Sequence, residues 1–190
     1  MRGPVPLFDG LLGLLDSRSF TTIWFWLMLA TVWSMAGRNV LGVPIDVIRS
    51  AAKPEGPGDR PEALALLDWL SLMLPRWRVA SQEGSWLTGI AAFALTVLAM
   101  LGFGYGLEMA QALFLLTAPL GIVALMNLRL ARVLRVILSQ AQAGQSAPNR
   151  AAADASRRMR RHRIAVTAIS VLVVGVTAFW GTLWMLARPF

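Results

Sequence analysis

Four stretches of the chain carry no ionisable side chain: Ser19 to Gly37, Gly84 to Leu107, Met109 to Leu128 and Ile164 to Leu186. A helix rises about 1.5 Å per residue, so roughly 20 apolar residues cross the hydrocarbon core of a bilayer. The pattern predicts an all-α membrane protein with four transmembrane helices, at about residues 19–37, 84–106, 108–128 and 164–186, and short interfacial amphipathic helices beside them. The whole of 1–190 then forms a single membrane domain, with two longer polar segments at 38–83 and 129–163.

Shorter apolar patterns fill the remainder. Leu7, Leu11, Leu12, Leu14 and Leu15, with Phe8 and Phe20, suggest an amphipathic helix before the first span. Asp9 and Asp16 interrupt this region, so it is expected to be retained rather than removed as a signal peptide. Pro44 suits a first helical position and opens a short interfacial helix. The run from Pro54 to Pro61 is dense in proline and glycine and reads as a loop. Glu62 to Leu74 is a nearly continuous apolar helix, too short to span and closed by Pro75. Its side chains must hide in the bilayer surface, against the spans or in a partner protein, which makes Leu66, Trp69, Leu70 and Met73 candidate partner-docking residues. Gln140 to Ala155, rich in Ala, Gln, Ser and Gly, is expected to be a mobile loop.

Charge adds direction to this map. The net charge of +8 is concentrated in two places. Six basic residues lie between Arg38 and Arg78 and nine between Arg129 and Arg163, leaving only Arg2, Arg18 and Arg188 for the other segments. Lys and Arg are retained on the cytoplasmic side, so 38–83 and 129–163 are expected inside and both termini on the periplasmic side of a bacterial inner membrane. Tryptophan and tyrosine positions agree: Trp24, Trp26, Tyr105, Trp180 and Trp184 fall near one boundary, Trp33 and Trp86 near the other. Arg129, Arg132 and Arg135 recur on one broad helical face, and Arg157, Arg158, Arg160, Arg161 and Arg163 lead directly into the last span. Such clusters attract anionic phospholipid headgroups by about 1 kcal/mol per residue, less in salt. A nucleic-acid partner is not expected, because aromatic interleaving or a recognition fold would accompany it.

Candidate chemistry is sparse. With no cysteine, the chain offers no thiolate nucleophile, disulfide, Cys-ligated zinc or Cys-held cluster. A single histidine, His162, stands among arginines and makes no metal site. Glu108 is the only charge between Trp86 and Leu128, directly after a Gly102-Phe103-Gly104-Tyr105-Gly106 run suited to a tight reversal. At an outer turn it can face water. A proton-coupled transporter would be expected to bury a carboxylate within a span, and none of the four stretches contains one. Gln111 and Asn127 are expected to hydrogen-bond between helices. No enzymatic constellation can be assembled and no cofactor is expected. The composition suits a non-catalytic accessory or scaffold subunit of an inner-membrane complex, with anionic phospholipids and membrane proteins as partners and a homo-oligomer compatible with it. A small oligomeric ion-coupled transporter working through Glu108 is the alternative.

Three segments, Ser19-Phe20-Thr21-Thr22-Ile23-Trp24-Phe25-Trp26, Val40-Leu41-Gly42-Val43-Pro44-Ile45-Asp46 and the run from Gly102 to Ala112, resemble a family of small alphaproteobacterial membrane proteins described as components of the SufBCD iron-sulfur assembly complex. The resemblance runs from about Phe20 to Arg135. It implies a membrane-associated helper of iron-sulfur assembly that holds no cluster through thiolates of its own.

Overall fold

The computed structural model describes residues 19, 20, 22–38, 40–52, 60–78 and 81–187. The expected amino-terminal amphipathic helix and most of the proline-glycine loop lie outside the described residues. Within them the secondary structure is helical, with one isolated antiparallel bridge between Val40 and Val43 and no strand. The helices are α1 (Ile23–Arg38), α2 (Ile45–Ser50), α3 (Pro61–Met73), α4 (Ser81–Ala99), α5 (Glu108–Gln142) and α6 (Pro148–Ala187). A 3-10 turn, Leu74–Trp77, follows α3, and a π-helical turn, Met100–Gly104, follows α4.

Three helices are long and apolar enough to cross a membrane: Glu83–Gly104, Glu108–Gln142 and Pro148–Trp184. The first apolar stretch gives a helix of 16 residues. That is about 24 Å, short of the roughly 30 Å of a hydrocarbon core. Along α4, Trp86, Leu87, Ile90 and Phe93 are each more than 60% exposed. So apolar an exposed surface is compatible with a hydrocarbon surrounding, since water opposes the exposure of these side chains.

The chain divides into two compact units, one of 1–32, 80–121 and 171–190 and the other of 33–79 and 122–170. The first is held by aromatic packing and a few buried polar groups. Phe20 and Phe25 meet edge to face at 5.5 Å, and Phe103 packs in the same manner on Phe114 and on Trp180 at 5.6 Å. Such pairs contribute about 0.5–1.5 kcal/mol beyond their area. Gly102 is buried, and a Cβ on it would lie 2.8 Å from the Gln111 backbone nitrogen, so only glycine permits this approach.

The second unit has a core like that of a small helical domain. Ile48 of α2, Leu66 and Leu70 of α3, Leu74, Leu134 of α5 and Met159 of α6 are essentially inaccessible. Ala151, Ala152 and Ala155 let α6 approach this cluster closely. Leu41 and Gly42 form a turn with positive φ of 54° and 86°, closed by Val43 N–H donating to Val40 O at 3.0 Å. Ser156 Oγ donates to Ile48 O at 2.6 Å, satisfying a carbonyl of the six-residue α2 that the helix leaves open. Arg60 N–H donates to Asn149 Oδ1 at 3.1 Å and ties the start of α3 to the start of α6.

One expectation is corrected here. The expected mobile loop at 140–155 is a helical hairpin: α5 runs to Gln142 and α6 begins at Pro148. Gly144, at φ 70°, ends α5 with Gln145 N–H on Gln140 O and Gly144 N–H on Ala141 O, the paired bonds of a glycine C-cap. Pro148 then starts α6 where a missing N–H costs nothing. The alanines that looked like low-complexity sequence are strong helix formers. The short α2, expected as an interfacial helix, buries Ile48 in the core of the second unit and leaves Asp46 and Arg49 exposed.

Candidate functional site

The polar residues of the first unit converge around the start of α5. Glu108 opens that helix and is buried, with 8% of its surface exposed. Its Oε1 accepts the Phe20 backbone N–H at 2.6 Å, across 88 residues of sequence. The expectation that Glu108 faces water is therefore corrected. The positive φ of Gly106, 73°, turns the chain back on itself, so the first turn of α5 packs inward instead of ending in solvent.

Gln111 stands one turn further along α5 and is 1% exposed. Its Nε2 donates to Gly102 O at 2.7 Å, and its Oε1 accepts the Trp180 Nε1–H at 3.0 Å. The π-helical turn makes the first bond available: there Tyr105 N–H reaches Met100 O and Leu107 N–H reaches Leu101 O, a wider spacing than the α-helical ladder. One amide thus ties the end of α4 to α5 and to α6. Trp26 Nε1 donates to Phe20 O at 3.0 Å, so the segment that Glu108 holds is also fixed by α1. Gly181 completes the contact, its Cα facing the Phe20 and Trp26 rings.

Chemically this cluster is a set of matched donors and acceptors. Glu108 and Gln111 each spend polar atoms on backbone or indole groups that would otherwise be unsatisfied in an apolar setting, where each unmet group costs several kcal/mol. The expected interhelical role of Gln111 and Asn127 is met: the latter's Oδ1 lies 2.7 Å from His162 Nε2. Trp180, expected as a simple boundary anchor, has its indole N–H engaged by Gln111. Sequence reasoning missed Phe20 N–H, because a backbone donor leaves no signal. It also missed Thr177 Oγ1, buried without a hydrogen-bond partner among the described residues.

The arginines stand apart from this cluster. Arg129, Arg132, Arg157, Arg158, Arg160 and Arg161 are exposed, and Arg135 and Arg163 are half-buried. Arg157 pairs with Asp154 one turn before it. Arg135 Nε donates to Ala131 O at 3.2 Å.

The docking residues expected on α3 lie otherwise than their free apolar character suggested. Leu66 and Leu70 are 0% exposed within the core, Trp69 and Met73 are half-buried, and the outward apolar side chains are Leu64 and Leu72. The surface that α3 needed is supplied by the chain itself. Among the described residues no group of three or more His, Asp or Glu side chains is placed to hold a metal ion. No family model matches the chain, no curated protein does, and no solved structure does. The resemblance to proteins of the SufBCD complex gains no support from these comparisons.

Proposed function

We propose that the chain is a non-catalytic accessory or scaffold subunit of a bacterial inner-membrane complex. It crosses the bilayer four times, with both termini periplasmic and with 38–83 and 129–163 cytoplasmic. The observation that carries this reading is the commitment of Glu108: the carboxylate a transporter would use is engaged with the Phe20 N–H. Gln111 beside it is likewise engaged, through both Nε2 and Oε1. The basic residues support the orientation, since fifteen of eighteen fall in the two segments assigned to the cytoplasm.

The fourth span is α1. Hydrogen bonds from Thr22 N–H to Ser19 O and from Phe25 N–H to Thr22 O precede it, and Arg38 can reach the headgroups from its other end. Anionic phospholipids contact the exposed arginines of α5 and α6.

Mild-detergent co-purification followed by mass spectrometry tests the scaffold role, with a stoichiometric membrane-protein partner as the expected result. Reconstitution of the Glu108→Gln variant in vesicles is the counterpart. Ion-coupled uptake present in the wild type and abolished by that change would replace the scaffold with a transporter.

A further inference from the structure

The second unit contains a groove of about 400 Å³ between the end of α3, with the turn that follows it, and the last two turns of α5. Arg78, Arg135, Ser71, Ser139 and Gln142 supply its polar atoms, and Leu74 forms part of an apolar wall. No carboxylate is among the residues that line it. Neither arginine has an ion-pair partner among the described residues, where the pairs are Arg60 with Glu62 and Arg157 with Asp154. Two guanidinium groups on the lining of one groove favour an anionic ligand there. Arg135 uses only its Nε on Ala131 O, which leaves both terminal nitrogens free for a two-point contact.

The serines add a second selection. Ser71 Oγ donates to Asp68 O at 2.7 Å and Ser139 Oγ donates to Val136 O at 2.9 Å. In this arrangement each hydroxyl keeps lone pairs that can accept from a ligand hydroxyl. A ligand suited to the groove carries an anionic group for the arginines and hydroxyl donors for the serines.

We propose that this groove binds a glycerol phosphate group, with the phosphate between Arg78 and Arg135 and the glycerol hydroxyls on Ser71 and Ser139. Its source is either the headgroup of phosphatidylglycerol or a soluble glycerol phosphate. Arg135 stands seven residues beyond Leu128, the last residue of the apolar run. That is about 10 Å along the helix, just past a headgroup layer roughly 5–8 Å deep, within reach of a long arginine side chain turned back toward the headgroups and open to a soluble ligand. The inference rests on the membrane-embedded reading of the chain but not on its scaffold role.

The test uses the full chain purified in mild detergent. Native mass spectrometry compares retention of phosphatidylglycerol and phosphatidylcholine, and calorimetry titrates sn-glycerol 3-phosphate and inorganic phosphate. The expected result is at least a tenfold preference for phosphatidylglycerol over phosphatidylcholine, or saturable binding of glycerol phosphate at least tenfold tighter than that of inorganic phosphate. The first identifies a lipid source and the second a soluble one. Arg78→Gln with Arg135→Gln should abolish either, whereas Arg49→Gln with Arg150→Gln, an equal loss of exposed charge outside the groove, should leave both unchanged. Arg135→Lys, which keeps the charge and loses the fork, should retain partial binding and guards against a folding defect in the double variant. Binding untouched by the groove variant, equally reduced by the control pair, or absent for both glycerol ligands overturns the proposal. Recovery of every variant in washed membranes is measured in parallel, so that failure of the membrane reading shows separately.

Discussion

At the scale of single residues, the first unit depends on a few polar atoms whose partners are far away in sequence. Removing the Glu108 carboxylate leaves the buried Phe20 N–H without an acceptor, and an orphaned buried donor costs about 1–3 kcal/mol. Glu108→Ala should therefore lower the detergent melting temperature. Glu108→Gln, which keeps an acceptor oxygen, should stay near wild type. A thermal scan in which both variants melt alike would show that the bond contributes little. Gly102 makes a sharper case. A methyl group there would meet the Gln111 backbone nitrogen at 2.8 Å, and backbone cannot yield as a side-chain tip can. Gly102→Ala should destabilise the protein by roughly 1–3 kcal/mol, as overpacking does, while Gly104→Ala, with nothing within 4 Å, should be tolerated. Equal melting temperatures for these two variants would argue against the close approach of Gly102 to α5.

At the scale of elements, α3 shows how a nearly all-apolar helix divides between the inside and the outside of the fold. The apolar surface of α3 looks like a docking face, yet Leu66 and Leu70 are internal and Leu72 is 68% exposed. Leu70→Ala should cost about 2–5 kcal/mol in a thermal or denaturant unfolding measurement, through lost burial and the cavity left behind. Leu72→Ala should change stability by no more than about 0.5 kcal/mol. A reversed order would mean that α3 turns its other face inward. Acidic substitutions at Trp69 and Leu70 would disrupt this unit before they reported on any partner. The existence of α3, its proline start and its length were legible in the sequence, because a proline at each end of an apolar run is a local signal. Its inward face was not legible, because all but a few positions are apolar and no stripe marks the buried side.

At the scale of the molecule, the distribution of basic residues makes a statement about sides that packing does not. A reporter inserted at Gln145, in the hairpin between α5 and α6, should report the cytoplasm, and one fused after Phe190 should report the periplasm. An external Gln145 would invert the orientation proposed for every segment. Three helices satisfy the length and apolarity of a span by themselves. The 16-residue α1 does not, and accessibility labelling along 19–38 tests the proposal that it is a fourth span.

Helical class, the apolar stretches and the uneven basic charge follow from the sequence alone, because charge and hydropathy are properties of residues and their near neighbours. The interhelical use of Gln111 and Asn127 follows as well, since an amide within an apolar helix has few other ways to be satisfied. The burial of Glu108, the internal face of α3, the hairpin at Gly144 and the arginine-lined groove were decided only by tertiary structure. Glu108 and Phe20 are 88 residues apart, and Ser156 and Ile48 are 108 apart. Whether a polar group meets water or a partner at such separation depends on where the folded backbone returns, and local composition carries no record of that.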